Sequence, residues 1–318
     1  MSADKSLVVC LSGGIGGAKL ALGLSRVVPG ADLVVVANTG DDFEHLGLAI
    51  SPDLDTVMYV LAGIDDRQRG WGRREETWTF MAALEALGGE IWFQLGDGDL
   101  ATHVERTRRR NAGESLSAIT ADFCRRLGIA ARVLPATDDR LRTRLRTGEG
   151  WLDFQDYFVR LKCAPAVLEL AYDGAAAVQA HPQVLAALRE PRLRAVVICP
   201  SNPFISIEPM LAISALRRAI ADCAAPVVAV SPIIGGRAVK GPTAKMMAEL
   251  GLPVSATAVA RRYADLLDAY VLDHADAAEA AGLGIPVTTA QTLMLTLADR
   301  EALARQVLTT ADALKAAP

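Results

Sequence analysis

Leu7-Val8-Val9-Cys10-Leu11-Ser12-Gly13-Gly14-Ile15-Gly16-Gly17-Ala18-Lys19-Leu20-Ala21-Leu22 is the stretch that decides the fold class. Its opening run is apolar throughout, as a strand covered on both faces must be. The glycines turn the chain, and from Ala18 the composition is that of a helix start. A strand that runs through glycine into a helix aims the helix's first amides, and the positive end of its dipole, beyond the strand end.

The same layout recurs along the chain. Residues 33–37, 195–199 and 226–230 are further apolar runs, separated by longer Ala-, Leu- and Arg-rich segments of helical period. Such alternation predicts an α/β chain: a parallel sheet flanked by helices. Ligands of open parallel sheets sit beyond the carboxyl ends of the strands, and all four runs end in loop chemistry. The first leads into the glycine loop, the second into Asn38-Thr39-Gly40-Asp41-Asp42, the third into Pro200-Ser201-Asn202-Pro203, and the fourth into Ser231-Pro232-Ile233-Ile234-Gly235-Gly236. If these strands are neighbours, their loops meet in one crevice. A less regular middle, residues 136–191, is expected as a lid or small subdomain between core segments 1–135 and 192–318. Residues 256–314 read as mainly helical, with a short strand at 270–272.

Bulk composition narrows the function. With 318 residues and 51% hydrophobic content the chain can bury a large core. A formal net charge of -4 offers no basic field for nucleic acid. The runs at 106–110 and 140–146 are read as solvated helix faces. Five cysteines without paired short spacing read as reduced, mostly buried thiols. Residues 1–6 lack a signal layout, and no apolar run approaches the roughly 20 residues of a membrane span. A cytoplasmic protein with small-molecule partners is expected. No GxSxG, HExxH, CxxC or kinase set occurs, which removes support for acyl-enzyme, zinc and kinase chemistry.

Each loop has a chemical and a plain reading. The glycine loop suits a phosphate or is simply a strand-to-helix turn. It is a broken dinucleotide fingerprint, because Gly14 and Gly16 match while Lys19 holds the third glycine's place. Asp41 and Asp42 end the second strand. Nearby, Ser51-Pro52-Asp53-Leu54-Asp55-Thr56 offers i, i+2 carboxylates that an extended stretch would aim at one cation. Hard oxygen ligands of this kind suit Mg²⁺ bridging phosphates; the plain reading makes Asp53 a helix N-cap. Residues 95–103 repeat the acidic theme and place His103 in a motif-like setting, or form a turn capping a helix. His45, His181 and His274 read as surface or packing residues. Ser201-Asn202-Pro203 and Ser231-Pro232 hold short polar side chains beside proline, fit for phosphate or ribose or for a turn. Lys240 is a phosphate counter-charge or a solvated lysine.

Taken in series, Ser12-Gly13-Gly14, Asn38-Thr39-Gly40-Asp41-Asp42, residues 50–57 around SPDLDT, Phe154-Gln155-Asp156-Tyr157-Phe158, PSNP at 200–203 and VSPIIGG at 230–236 resemble the 2-phospho-L-lactate transferase family over nearly the whole chain. The resemblance implies a Rossmann-like core and a Mg²⁺-dependent, usually dimeric enzyme of coenzyme F-420 biosynthesis. It implies a reaction in which a GDP-linked three-carbon-acid donor (phospholactate, phosphoenolpyruvate or phosphoglycerate) passes its phosphoryl-linked unit to the ribityl hydroxyl of the deazaflavin Fo, releasing GMP. By matching positions, Asp53, with Asp55, Asp41 and Asp42, would hold the metal, Asp53 and Asp55 carrying the catalysis. Gly13, Gly14, Gly16, Asn38, Ser201, Asn202, Ser231 and Gly235 would cradle the donor. Phe154, Asp156 and Tyr157 in the 136–191 insertion would bind the acceptor. Other readings are a non-catalytic nucleotide-sugar-binding regulator of related fold and an NAD(P)-dependent oxidoreductase.

Overall fold

Strand β1 (Leu7–Ser12) is buried at every position and runs directly into helix α1 (Gly14–Val27). The structure, a computed structural model, describes residues 6–316, so the reading of the N-terminal residues 1–5 lies outside it. Strand β2 (Leu33–Ala37) returns parallel to β1, pairing Val8 with Leu33 through Ser12 with Ala37. A small hairpin of β3 (Phe43–His45) and β4 (Leu48–Ile50) follows, then α2 (Pro52–Ala62), α3 (Thr79–Ala86), α4 (Asp97–Asn111) and α5 (Leu116–Arg126). The chain re-enters the main sheet as β5 (Arg132–Pro135).

An antiparallel accessory sheet comes next: β6 (Arg142–Thr147), β7 (Gly150–Asp153) and β8 (Glu169–Asp173), in the order β7-β6-β8. Then β9 (Leu193–Ile198) and β10 (Val227–Val230) rejoin the main sheet. A two-stranded hairpin, β11 (Ile233–Ile234) with β12 (Arg237–Ala238), precedes β13 (Ala269–Asp273) and β14 (Val287–Ala290). Helix Leu297–Ala316 closes the chain.

The main sheet has the order β14-β13-β10-β9-β1-β2-β5, and all its pairings are parallel. β10, β9, β1 and β2 are consecutive, so the four loops singled out in the sequence do share one edge of the sheet. Side chains alternate between two cores, as strand geometry requires. Val9, Leu11, Val34 and Ile198 face one; Val8, Cys10, Val35 and Val197 face the other, beneath α1 and the C-terminal helix. The accessory sheets act as lid-like insertions beside this edge. The three-stranded one is anchored by Leu145, Tyr157 and Val167, which join the first core.

Three sequence expectations need correction. Residues 140–146 are not a helix face: Arg142, Arg144 and Arg146 alternate along strand β6. The 106–110 run does lie on a helix, α4, but Arg106 is 1% exposed rather than solvated. The C-terminal segment also contains β14, a short edge strand whose Val-Thr-Thr-Ala composition gave only a weak apolar signal. All five cysteines are free thiols, as expected, and Cys10, Cys124 and Cys199 are buried. Among the described residues no helix is long and apolar enough to cross a membrane.

Candidate active site at the carboxyl edge of the sheet

A cavity of about 660 Å³ opens where the loops after β1, β2, β9, β10 and β14 meet, as the general rule for parallel sheets demands. The β1 and β9 loops are locked together by close packing. At Gly16 a Cβ would strike the carbonyl oxygen of Pro200, and Gly14 adopts φ +60°, a left-handed conformation that favours glycine. Gly13 N–H donates to Ser201 Oγ at 3.3 Å, tying the two loops across the site.

The organising residue is Asn38, fully buried at the end of β2. Its side-chain amide donates to Asp41 Oδ1 and Asp53 Oδ2, each at 2.9 Å, and to the carbonyl of Ile205 at 3.0 Å. Its own carbonyl accepts from Gly40 N–H at 2.8 Å, which fixes the loop. Two carboxylates from different elements therefore share one amide. Asp53 uses its other oxygen to accept from Gly14 N–H at 2.6 Å. It caps α1 rather than its own helix, whose N-cap is Ser51.

Both acids face the cavity and both are nearly buried. Burial pushes the Asp53 carboxyl up to about 6, against the hydrogen bonds from Asn38 and Gly14. Burial, and then the neighbouring Asp53 charge, drive Asp41 well above the usual carboxylate range. Among the described residues neither makes an ion pair with a Lys, Arg or His side chain. A pair of enclosed oxygen donors lacking a bonded cationic partner is a donor set that fits a hard divalent cation.

Asp42 and Asp55 have other surroundings. Asp42 accepts from Ser51 Oγ at 2.9 Å and lines a neighbouring cleft of about 550 Å³ with Arg142 and Arg160. Burial raises its carboxyl to about 7. Because Asp53 and Asp55 lie on helix α2 and not on an extended stretch, their i, i+2 spacing splays them about 200° apart. Asp55 takes both oxygens to the guanidinium of Arg106, Arg106 Nη1 donating to Oδ2 at 3.1 Å. Arg106 Nη1 also meets His103 Nδ1 at 3.2 Å. That contact makes Nδ1 the acceptor and leaves the Nε2 proton for Asp99, whose Oδ2 lies 3.3 Å away. Asp99 in turn accepts from Tyr59 Oη at 2.6 Å. Burial alone would raise Asp99, but the bonds from His103 and Tyr59 hold it below the ordinary range. Asp55, Asp99 and His103 bring ligand atoms within 4.8 Å of one another and can hold a divalent metal, with Arg106 already neutralising Asp55. Residues 95–103 thus combine both readings: Glu76 accepts from Gly98 and Asp99 N–H and caps α4, while Asp99 and His103 border the cavity.

The structure brings Gly13, Gly14, Gly16, Asp41, Asp53, Asp55, Phe154, Ser201, Asn202 and Ser231 to the cavity wall. Asn202 spends its carbonyl capping Phe204 and Ile205, and Ser231 bonds within its own turn to Ile233. Gly235 lies off the cavity and donates its N–H to Asp276 at 3.0 Å. Asp156 faces the neighbouring cleft and pairs with Arg160 at 3.2 Å. Tyr157 is 0% exposed, in the first core. Beside Phe154, the ring of this block that reaches the cavity is Phe158, stacked on it with centroids 5.2 Å apart. Helical spacing i, i+4 pairs these two phenylalanines and was a legible signal. Phe93 and Trp71, from loops without motif character, also line the cavity.

Known proteins resemble this chain over nearly its full length. The family model described as 2-phospho-L-lactate transferase CofD matches residues 8–310. A phosphoenolpyruvate transferase from Streptomyces griseus is 40% identical, covering 97% of this chain and 99% of that protein. Phosphoenolpyruvate transferases from Streptomyces coelicolor (41%, covering 98% and 99%) and Mycobacterium tuberculosis (37%, covering 94% and 96%) are similar too. Among solved structures, a UPF0052-family protein of Bacillus halodurans shares the fold, with TM-score 0.66 at 14% identity over 96% of this chain and 99% of that one.

Proposed function

Since this chain belongs to the 2-phospho-L-lactate transferase CofD family, an enzyme family acting on a three-carbon phospho-acid, we propose that it moves a phosphoenolpyruvyl unit from a GDP-linked donor to the ribityl hydroxyl of Fo, releasing GMP. The observation that carries this reading is the Asn38-held pair of Asp41 and Asp53 at the wall of a cavity that Phe154 and Phe158 also line. The choice of phosphoenolpyruvate over phospholactate or phosphoglycerate is supported by the relatives, which carry that name across 37–41% identity.

In the proposed reaction a bond forms between the acceptor oxygen and the donor's distal phosphorus, the bridging P–O bond to GMP breaks, and the hydroxyl proton leaves. Such transfers pass through loose transition states that depend on alignment and charge compensation more than on a covalent nucleophile. Mg²⁺, when bound, would neutralise charge developing on the leaving phosphate. Asp41 and Asp53 would hold it, oriented by Asn38. The rigid contact between the β1 and β9 loops fixes the opposing wall for the donor. Phe158, half-exposed and backed by Phe154, offers a flat face to the tricyclic acceptor. The protein is proposed to act in the cytoplasm as a homodimer, which sedimentation of the purified chain will test.

Incubating the protein with Fo, Mg²⁺ and each GDP-linked three-carbon acid, followed by mass spectrometry, tests the reaction. The expected result is GMP together with a mass gain on Fo, greatest for the phosphoenolpyruvyl donor. No gain with any of them would overturn the reading. Phe158→Ala is expected to raise KM for Fo by roughly 2- to 10-fold with little change in kcat, the worth of one aromatic contact. Steady-state kinetics with Fo varied will show it; an unchanged KM would remove Phe158 from the acceptor site.

Raised carboxyl values also set a pH dependence. Asp53 at about 6 and Asp42 at about 7 retain protons in the fold that the unfolded chain loses near pH 4. The native state therefore binds more protons between pH 4 and 7, and stability without metal falls as pH rises through that window. A divalent cation requires the deprotonated pair. Saturating Mg²⁺ should accordingly raise the melting temperature clearly at pH 8, by the equivalent of about 2–3 kcal/mol at a hundredfold excess over Kd, and little at pH 5. Thermal unfolding with and without Mg²⁺ at the two pH values will check this. An equal gain at both would contradict it.

A further inference from the structure

The side of the cavity at the loop after β14, away in sheet order from Asp41 on the loop after β2, is cationic. Lys19 on α1 and Lys240 after β12 line it beside Thr292 and Met294 from the loop after β14, five steps from β2 in sheet order. Lys19 Nζ donates to the Met294 carbonyl at 3.1 Å, which leaves two of its protons for a ligand. Lys240 Nζ rests against Gly70, where a Cβ would strike it, and makes no ion pair among the described residues.

Behind them sits Arg300, only 4% exposed, whose Nε is enclosed without a hydrogen-bond partner. Its guanidinium makes no ion pair among the described residues. The anions nearby are Asp65, which lies 3.9 Å from Arg67, Asp299, which caps the C-terminal helix through Leu295 and Thr296 N–H, and Asp273, which accepts from Thr292 N–H and Oγ1. Lys19, Lys240 and Arg300 thus carry positive charge with no ion-paired carboxylate among the described residues. Burial, then Arg300 and Lys240, push the Lys19 ammonium below its usual range, so these charges repel one another as the protein stands. Two of them, the half-buried Lys19 and the enclosed Arg300, are costly to hold this way unless an anion compensates them; Lys240 is exposed at the cavity rim.

We propose that Lys19 and Lys240, backed by Arg300, form an anion subsite that takes a phosphate or carboxylate group of the donor without the help of a metal. The inference rests on the transferase reading and extends it. A nucleoside-diphosphate-linked acid carries anionic oxygens at several points along its length, and a cation held by Asp41 and Asp53 serves those at the β2 end only. Two ammonium groups at the other end fix the donor's direction across the sheet. Either the nucleotide phosphate or the three-carbon acid can supply the group.

Calorimetric titration of the full chain in EDTA with GMP, GDP and phosphoenolpyruvate tests the subsite and separates these sources. Lys19→Met and Lys240→Met are each expected to weaken the bound ligand by about tenfold, the worth of a charge-assisted hydrogen bond, and Lys19→Arg to restore most of it. Melting temperatures near wild type will show that the variants fold. Losses for GMP and GDP alike assign the subsite to the nucleotide phosphate; a loss confined to phosphoenolpyruvate assigns it to the acid. Affinities unchanged in both Met variants overturn the subsite, as does a wild-type chain that binds none of the three in EDTA. Transfer to Fo with Mg²⁺, assayed separately on the wild type, reports on the transferase reading itself, so the two failures are distinguishable.

Discussion

Asp53→Asn is expected to lower the transfer rate by about 10³-fold, the scale on which removing a charge-stabilising group acts at such sites, while the fold remains intact. Asparagine keeps an oxygen for Gly14 N–H, so the cap on α1 survives. What disappears is one of the two charges that Asn38 gathers. Loss of charge also relieves the repulsion that drives Asp41 upward, which offsets the Asn38 hydrogen bond lost when an amide nitrogen replaces Oδ2, so the metal-free variant should melt close to wild type at pH 8. A rate that falls without a fall in stability separates a functional acid from a structural one. Turnover at saturating and limiting Mg²⁺, with thermal unfolding alongside, measures both. Full activity at limiting Mg²⁺ would count against the assignment.

Arg106→Leu should do the opposite, costing about 3–5 kcal/mol of stability, because it strands Asp55 as a buried charge without its cation. Arg106 is enclosed between α4 and α2 and reaches Asp55, His103 and the Ala49 carbonyl. Adding Asp55→Asn in the same chain should recover much of the loss, since the stranded charge is then gone. Urea unfolding of the two single variants and the double variant gives the coupling. A loss below about 1 kcal/mol for Arg106→Leu would place the pair among weak surface contacts and contradict the enclosure described here.

The parallel sheet was legible because its strands are nearly pure apolar runs and each ends in a conspicuous loop. Convergence of those loops followed once β10, β9, β1 and β2 proved adjacent. Less legible was which way each acid points. SPDLDT reads equally as extended or helical, and only helix α2 separates Asp53, turned to Asn38 and Gly14, from Asp55, turned to Arg106. Arg106 looked solvated because its neighbours Arg108 and Arg110 are; helical periodicity placed it on the inner face, opposite a partner 51 residues away in sequence. The aromatic block was found, but Tyr157 turned into the core and Phe158 to the cavity, because the chain there forms a wide π-helical turn at Asp156–Arg160. Trp71 sits in a loop whose composition carries no distinguishing pattern, and only tertiary packing brings it to the cavity.

Which acidic group holds the cation decides the mechanism. Mn²⁺ binding, followed by the loss of its free electron paramagnetic signal, distinguishes the Asn38-held pair from the Asp55, Asp99 and His103 cluster. Asp53→Asn is predicted to abolish binding, and Asp99→Asn to leave it near wild type. Retained binding in the first variant with loss in the second would move the metal to the other side of α2 and contradict the proposed mechanism.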